Sequence, residues 1–269
     1  MEDSFKGILY PARLPTFHRF PVPAPVADLV QWFWIPEWNI EPGRSSRQHV
    51  IAYPTSNLVV QGDVVEFSGP TTRAAYRDLT GQGWAVGALL RPAAVPLFTD
   101  NPGALRDQEI VLALADLHGA VSAAMTPPSG DTHDGGARRE GAVEAFVAWL
   151  VSLEFVASEE ALLANRMVDV IASEPDVTRI EDVAASLAIS PRTLQRIAGK
   201  YVGLSPSALI RRRRLQDAAE RTRSGPTADL AAIAVELGYA DHAHLTNDFR
   251  KYLGFTPSSY RRSVEEKRG

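Results

Sequence analysis

Residues able to do chemistry occur along this chain, but not in the groupings that catalysis requires. His242-x-His244 offers the two imidazoles of a metal site, yet residues two apart on a helix do not face each other. His18, His49, His118 and His133 each stand alone. Cysteine is absent from all 269 residues, which removes disulfides, thiol redox switching, zinc–thiolate sites and alkyl transfer to sulfur. No G-x-S-x-G, phosphate loop or H-E-x-x-H motif occurs. The expectation is therefore no enzyme, no metal and no cofactor. What remains is a surplus of cationic and hydrogen-bonding side chains: the run Arg211 to Arg214, and the polar set His242, Thr246, Asn247 and Arg250. Four consecutive arginines on a helix point around most of its circumference. They read as a solvated or ion-paired face more readily than as a phosphate clamp.

The elements that must hold these side chains are written twice. Ile180, Val183, Ala184 and Leu187 recur as Leu230, Ile233, Ala234 and Leu237, an offset of 50. Leu194, Gly203 and Pro206 recur as Leu245, Gly254 and Pro257, an offset of 51. In the first copy Thr178-x-x-Glu181 has capping-box spacing, and apolar residues 180, 183, 184 and 187 share one helical face. Ser190-Pro191 then opens a second helix running to about Tyr201. In the second copy the helices are expected over about Leu230 to Leu237 and from Asp241 to about Tyr252, with Gly238-Tyr239 as the turn. Each copy closes on Gly-apolar-Ser/Thr-Pro, where Gly stops one helix and Ser/Thr-Pro starts the next. A short turn makes two helices cross steeply, leaving one packed and one projecting. Residues 206–223 are long enough for a connecting helix of about 27 Å, with Ala208, Leu215, Ala219 and Thr222 as its buried stripe.

Charge separates along the chain. Residues 178–269 hold 16 Lys+Arg against 10 Asp+Glu, a balance of +6, and residues 1–177 hold 12 against 22, a balance of −10. A basic part attracts a phosphate backbone, and an acidic part keeps clear of it. The bias of 24 Arg to 4 Lys reads as genome composition rather than as a choice made site by site.

From near Leu162 to Arg262 the chain resembles the AraC/XylS family of bacterial transcription regulators. The resemblance rests on Leu237-Gly238-Tyr239-Ala240-Asp241, on Phe249-Arg250-Lys251 and on Gly254-Phe255-Thr256-Pro257-x-x-Tyr260-Arg261. It implies two helix-turn-helix units, about 180–201 and 230–252, joined by a long helix, each projecting helix entering one of two successive major grooves of an asymmetric site. By position in the motif, the DNA contacts fall on Arg192, Thr193, Gln195, Arg196 and Lys200 in the first unit, and on His242, Thr246, Asn247, Arg250 and Lys251 in the second. Arg presents a bidentate fork to guanine and Gln bridges adenine. Many relatives carry Arg where this chain has Asn247, and Asp248 follows it. The first unit is therefore expected to supply most of the base discrimination, and the second to read shape and to contact phosphates through Arg250 and Lys251. The implied partners are double-stranded DNA, a small-molecule effector and RNA polymerase, and the protein is expected to be a monomer or homodimer.

The fold class expected is α+β: a small N-terminal β-barrel domain with helices over 1–157, and an all-α DNA-binding domain over 158–269. Residues 15–91 read as mostly strand. Leu29 to Ile35 and Trp84 to Leu90 are buried runs, and Asn57 to Gln61 and Val64 to Phe67 flank a Gly62-Asp63 hairpin turn. This region resembles the cupin-like sensory domains that precede AraC-type DNA-binding domains, which implies a ligand inside the barrel or at its mouth. Trp32, Trp34, Tyr53 and Trp84 are the candidate lining, with Phe33 and Trp38 also aromatic there. For each the alternative is ordinary core, since neighbours on a strand face opposite sides. Residues 93–125 and 138–173 read as helical, separated by a flexible loop at about 127–137. Val143, Phe146, Val147 and Leu150 share a helix face that either covers the barrel or forms a dimer seam. No apolar run is long enough to cross a membrane and the N-terminus is acidic, so a cytoplasmic protein is expected.

Overall fold

Strand-forming runs punctuated by Gly and Pro build the first half of the chain. The structure, a computed structural model, describes residues 16–50, 54–126, 135–225 and 229–265. Its strands are β1 (Thr16–Phe20), β2 (Val30–Asn39), β3 (Ser45–Val50), β4 (Asn57–Gln61), β5 (Val64–Ser68), β6 (Ala75–Thr80), β7 (Gln82–Leu90) and β8 (Glu109–Leu112). Six form an antiparallel sheet in the order β1-β2-β7-β4-β5-β8, and β3 and β6 pair separately. The predicted hairpin closes as expected: Gln61 lies opposite Val64, and Gly62 takes φ +53 in the turn. The result is a β-rich N-terminal region followed by a helical C-terminal one, the expected fold class.

Period-2 alternation decides what each face of the large sheet does. Phe33, Ile35, Leu58, Val60, Val65, Phe67, Val86, Ala88 and Leu90 turn to one face. There they pack on α1 (Ala115–Met125) through Leu117, Val121 and Met125, and on α2 (Gly135–Ser152) through Val143, Phe146 and Leu150. The apolar face of α2 is thus a cover for the sheet. Phe146 meets Phe33 edge-on at 5.4 Å between ring centroids. The other face is overlain by the β3–β6 pair, where Arg77 of β6 donates to Gln61 and reaches Glu109 at 2.8 Å, and Trp38 Nε1 donates to the Thr80 carbonyl.

Two expectations about the intervening segments are corrected. Residues 93–114 are not α-helical: Pro92–Leu97 and Pro102–Leu105 are short 3-10 helices, and β8 follows. Three prolines, 92, 96 and 102, lack the N–H donors that an α-helix needs, and β8 finds its hydrogen bonds on the open edge of β5 instead. Of the expected loop at 127–137, residues 127–134 lie outside the described residues, and 135–137 already belong to α2.

The second half is α3 (Glu159–Ser173), α4 (Ile180–Ser186), α5 (Pro191–Tyr201), α6 (Pro206–Ser224), α7 (Leu230–Glu236), α8 (His242–Asp248) and α9 (Pro257–Glu265), with one π-helical turn, Phe249–Leu253, continuing α8. Most caps fall where the sequence placed them. Ser190, Ser205 and Asp241 accept from backbone N–H groups at the starts of α5, α6 and α8, and Gly203 and Gly254 take φ +77 and +79 at the stops. At α4 the partner differs: Asp182, not Glu181, reaches back, its Oδ2 accepting from the Thr178 and Arg179 N–H groups. Each helix-turn-helix unit has its own core. Val183, Ala184, Leu194 and Ala198 serve the first, and Ile233, Ala234, Leu245 and Phe249 serve the second.

Candidate nucleic-acid interface

The amphipathy of α5 sets which side chains it offers. Leu194, Ile197, Ala198 and Tyr201 are buried, leaving Arg192, Gln195, Arg196 and Lys200 exposed. Positions 192, 195 and 196 fall on one face, the spacing that lets three side chains enter a groove together. Thr193 is committed to the helix start, where its N–H donates to Ser190 Oγ and its hydroxyl lies 2.9 Å from the same atom. Arg196 and Lys200 share a partner that the sequence did not reveal: Glu160, on the first turn of α3, lies 2.5 Å from Arg196 Nη2 and 2.6 Å from Lys200 Nζ.

The second unit presents Asn247, Arg250 and Lys251 to solvent, with His242 and Thr246 half-buried and 3.5 Å apart between Nε2 and Oγ1. Asp248, which follows Asn247, is buried and turned inward: Arg211 grips it with both ends of its guanidinium, Nε donating to Oδ2 at 2.6 Å and Nη2 to Oδ1. Its charge is therefore not part of the exposed surface.

The remaining arginines of the 211–214 run also point to protein, so of the expected solvated or ion-paired face the ion-paired part holds, with Arg211 on Asp248 and Arg213 3.5 Å from Asp217. Arg213 is buried and donates to the Pro175 and Val177 carbonyls beneath the first unit, at 3.1 and 2.8 Å. Arg212 is buried over the Tyr252 ring at 4.5 Å, where desolvation pulls its pKa down to about 10. Arg214 donates to the Leu237 carbonyl and covers the Tyr239 ring at 4.7 Å. One stretch of α6 thus holds the first unit with Arg213 and the second with Arg211, Arg212 and Arg214. Of the stripe expected from the sequence, Leu215, Ala219 and Thr222 are buried and Ala208 is half-buried, and Leu209, Ile210 and Ala218 complete the buried surface. Between the units lies a cleft of about 200 Å³, bordered by Arg179, Arg211, Arg214, Tyr239 and His244.

The N-terminal region touches both units. Asn165 of α3 accepts from the Ala93 N–H at 2.9 Å and donates to the Asp28 carbonyl at 2.8 Å, while Arg91 pairs with Asp169 at 2.5 Å. Gly203, just after α5, lies so close to Pro102 that a Cβ there would sit 2.6 Å from a backbone carbon. On the second unit, the Ala74 N–H donates to the Lys251 carbonyl at 3.2 Å.

The candidate ligand-lining aromatics do not form one surface. Trp34 stacks on Phe17 at 6.3 Å, donates to Asn57 Oδ1 at 3.1 Å and lies flat on Gly87, where a Cβ would meet its ring at 2.1 Å. Trp32 is capped by Arg19 at 4.3 Å. Trp84 packs against the core on the opposite, helix-covered face, and Tyr53 lies outside the described residues. Among the described residues no cluster of His, Asp and Glu could hold a metal, and no helix is long and apolar enough to cross a membrane.

The repeat geometry has counterparts. Residues 183–263 match a family model described as a helix-turn-helix domain, and residues 18–111 match a domain family of unknown function, DUF6597. An uncharacterized HTH-type transcriptional regulator of Haemophilus influenzae is 31% identical over 108 residues, covering 40% of this chain and 36% of that protein. A Streptomyces antibioticus protein described as an AraC-like transcription regulator is 28% identical over 123 residues, covering 46% of this chain and 39% of its own. Residues 183–263 are thus a helix-turn-helix domain, similar to those of AraC-like regulators. Its likeness to the regulator VirS of Mycobacterium tuberculosis is 42% over 81 residues, 30% of this chain and 23% of VirS. The chain thus matches between 23% and 39% of the length of these curated relatives. Among solved structures, ToxT from Vibrio cholerae overlays 92% of this chain and 96% of its own at 12% identity and TM-score 0.42.

Proposed function

We propose that the protein is a sequence-specific transcription regulator that binds an asymmetric DNA site with α5 and α8 in successive major grooves. The observation that carries this reading is the pair of projecting helices with polar outer faces, held to a common spacer by four inward arginines. We assign base contacts to Arg192, Gln195 and Arg196, and to Asn247 with His242 and Thr246. Thr193 holds the start of α5, Arg250 and Lys251 serve the backbone, and Lys200 lies beside the backbone paired to Glu160. The DNA-binding part begins near Ser158, which caps α3, and the protein acts in the cytoplasm.

The N-terminal region is assigned the control of DNA affinity in response to a small molecule, rather than dimerisation alone. Two observations favour this: the apolar face of α2 is used up against its own sheet, and the N-terminal region packs on the first DNA-reading unit and bonds to the second. The ligand face we assign is that of Trp32 and Trp34, without Trp84. RNA polymerase is a partner in the sense that any regulator bound beside a promoter meets it.

The test is selection of bound duplexes from a random-sequence pool by the full-length protein across a range of salt. Two information-rich blocks about one helical turn apart, roughly 34 Å, are expected, the stronger belonging to the first unit. Sequence-blind binding that vanishes with salt would overturn the reading.

A further inference from the structure

Glu160 lies outside both helix-turn-helix units, yet it is tied to the exposed cations of the first reading helix. Its Oε1 meets Arg196 Nη2 at 2.5 Å, and its Oε2 accepts from Lys200 Nζ at 2.6 Å and from the Tyr201 hydroxyl at 3.0 Å. Arg196 and Lys200 are four apart on α5, so one carboxylate spans both. The carboxylate is the more enclosed partner, its side chain 29% exposed against 57% and 53% for the two cations, which keep an open side. Its own position is fixed: Ala161 and Ala164 pack on Ile197, Tyr201 and Ala93, and Asn165 is bonded into the N-terminal region on both sides.

We infer that Glu160 is a specificity-determining positioning residue: it fixes the guanidinium of Arg196 for base-edge contact and withholds the charge of Lys200 from the phosphate backbone. The inference rests on the assignment of α5 as a groove-reading helix. An arginine already held in one rotamer loses less freedom when its fork meets guanine. A lysine already neutralised by a carboxylate releases fewer counterions from DNA, which lowers the sequence-blind part of binding. Both effects raise discrimination at the expense of raw attraction. Hydrogen bonds from Arg196 and then Lys200 hold the Glu160 pKa down, to about 2 against an ordinary 4.5. Because the folded value is depressed, the ion pairs are fully present above pH 4.5 and are lost as pH falls toward 2. The Glu160 ion pairs are therefore unchanged between pH 6 and 8.

The experiment compares full-length wild type with Glu160→Gln by duplex selection and by titration on the selected and a random duplex over a salt series. Glu160→Gln is expected to tighten binding to the random duplex about threefold at low salt and to steepen the slope of log K against log salt by about one. The ratio of selected to random affinity falls about tenfold, with preference lost at the base pair that Arg196→Ala also loses. Once Arg196 is Ala, Glu160→Gln leaves base preference unchanged, a coupling that a loss of fold does not produce. Equal changes on both duplexes, or an unaltered salt slope, would overturn the inference while the wild type still selects a site. A wild type that selects no sequence would overturn the assignment of α5 as well.

Discussion

The two helix-turn-helix units are built on the same apolar template and carry different polar faces. Leu194 and Leu245 are both fully buried, as are Ala184 and Ala234, so the packing of each projecting helix on its partner repeats. The outer surfaces diverge. The first unit offers Arg192, Gln195 and Arg196 on an uninterrupted eleven-residue helix, and the second offers Asn247 with two half-buried neighbours on seven α-helical residues that pass into a π-turn. A duplicated core constrains where a helix can lie and leaves its solvent face free to specialise. The units also differ in how they are held. The first is tied by Arg213 through main-chain carbonyls, and the second by Arg211 through the buried carboxylate of Asp248.

The largest test of that contrast is Arg211→Ala. It strands the Asp248 carboxylate in the core of the second unit, and breaking a buried pair from one side costs about 3 kcal/mol. Hydrogen exchange should report faster opening of α7 and α8, with α4 and α5 unchanged. Equal loosening of both units would show that the pair braces the whole domain. Next comes Arg196→Ala, expected to cost about 1–3 kcal/mol at one base pair, against less than about 1 kcal/mol for Asn247→Ala. Competition binding on single-base variants of the selected site measures both, and a larger loss from Asn247→Ala would reverse the division of labour. The smallest effect concerns the turns. Ala188 takes φ +53 at the position equivalent to Gly238, which takes φ +71. A side chain in this region is strained, so Ala188→Gly should stabilise the first unit by up to about 1 kcal/mol, read as a rise in Tm.

What could be read from the sequence was whatever repeats or obeys local rules. The duplicated apolar positions, the Ser-Pro starts, the left-handed glycines and the Gly62 hairpin depend on neighbours a few residues away, and they stand where they were expected. The segment from Pro92 to Leu112 was misread because its apolar residues fit a helix while its prolines and an available sheet edge dictated turns and a strand. At the candidate site, the exposed face of α5 was legible from amphipathy. Its partner Glu160 was not, because the contact spans about 40 residues of chain and no periodicity marks it. The arginine run was legible as an ion-paired face but not in its inward direction. Charge suggests solvent, and only the tertiary arrangement supplies the carbonyls, rings and carboxylate that let Arg211 to Arg214 turn inward.

That inward turn bears on operators rather than on the protein. Inserting one base pair between the two recognition blocks moves the second by about 3.4 Å and turns it by roughly 36° around the duplex axis. A spacer helix pinned to both units through one stretch cannot follow such a screw motion without giving up a guanidinium contact. Natural sites should therefore hold the two blocks at one fixed rotational phase, so that a single inserted base pair is as damaging as the loss of a whole block.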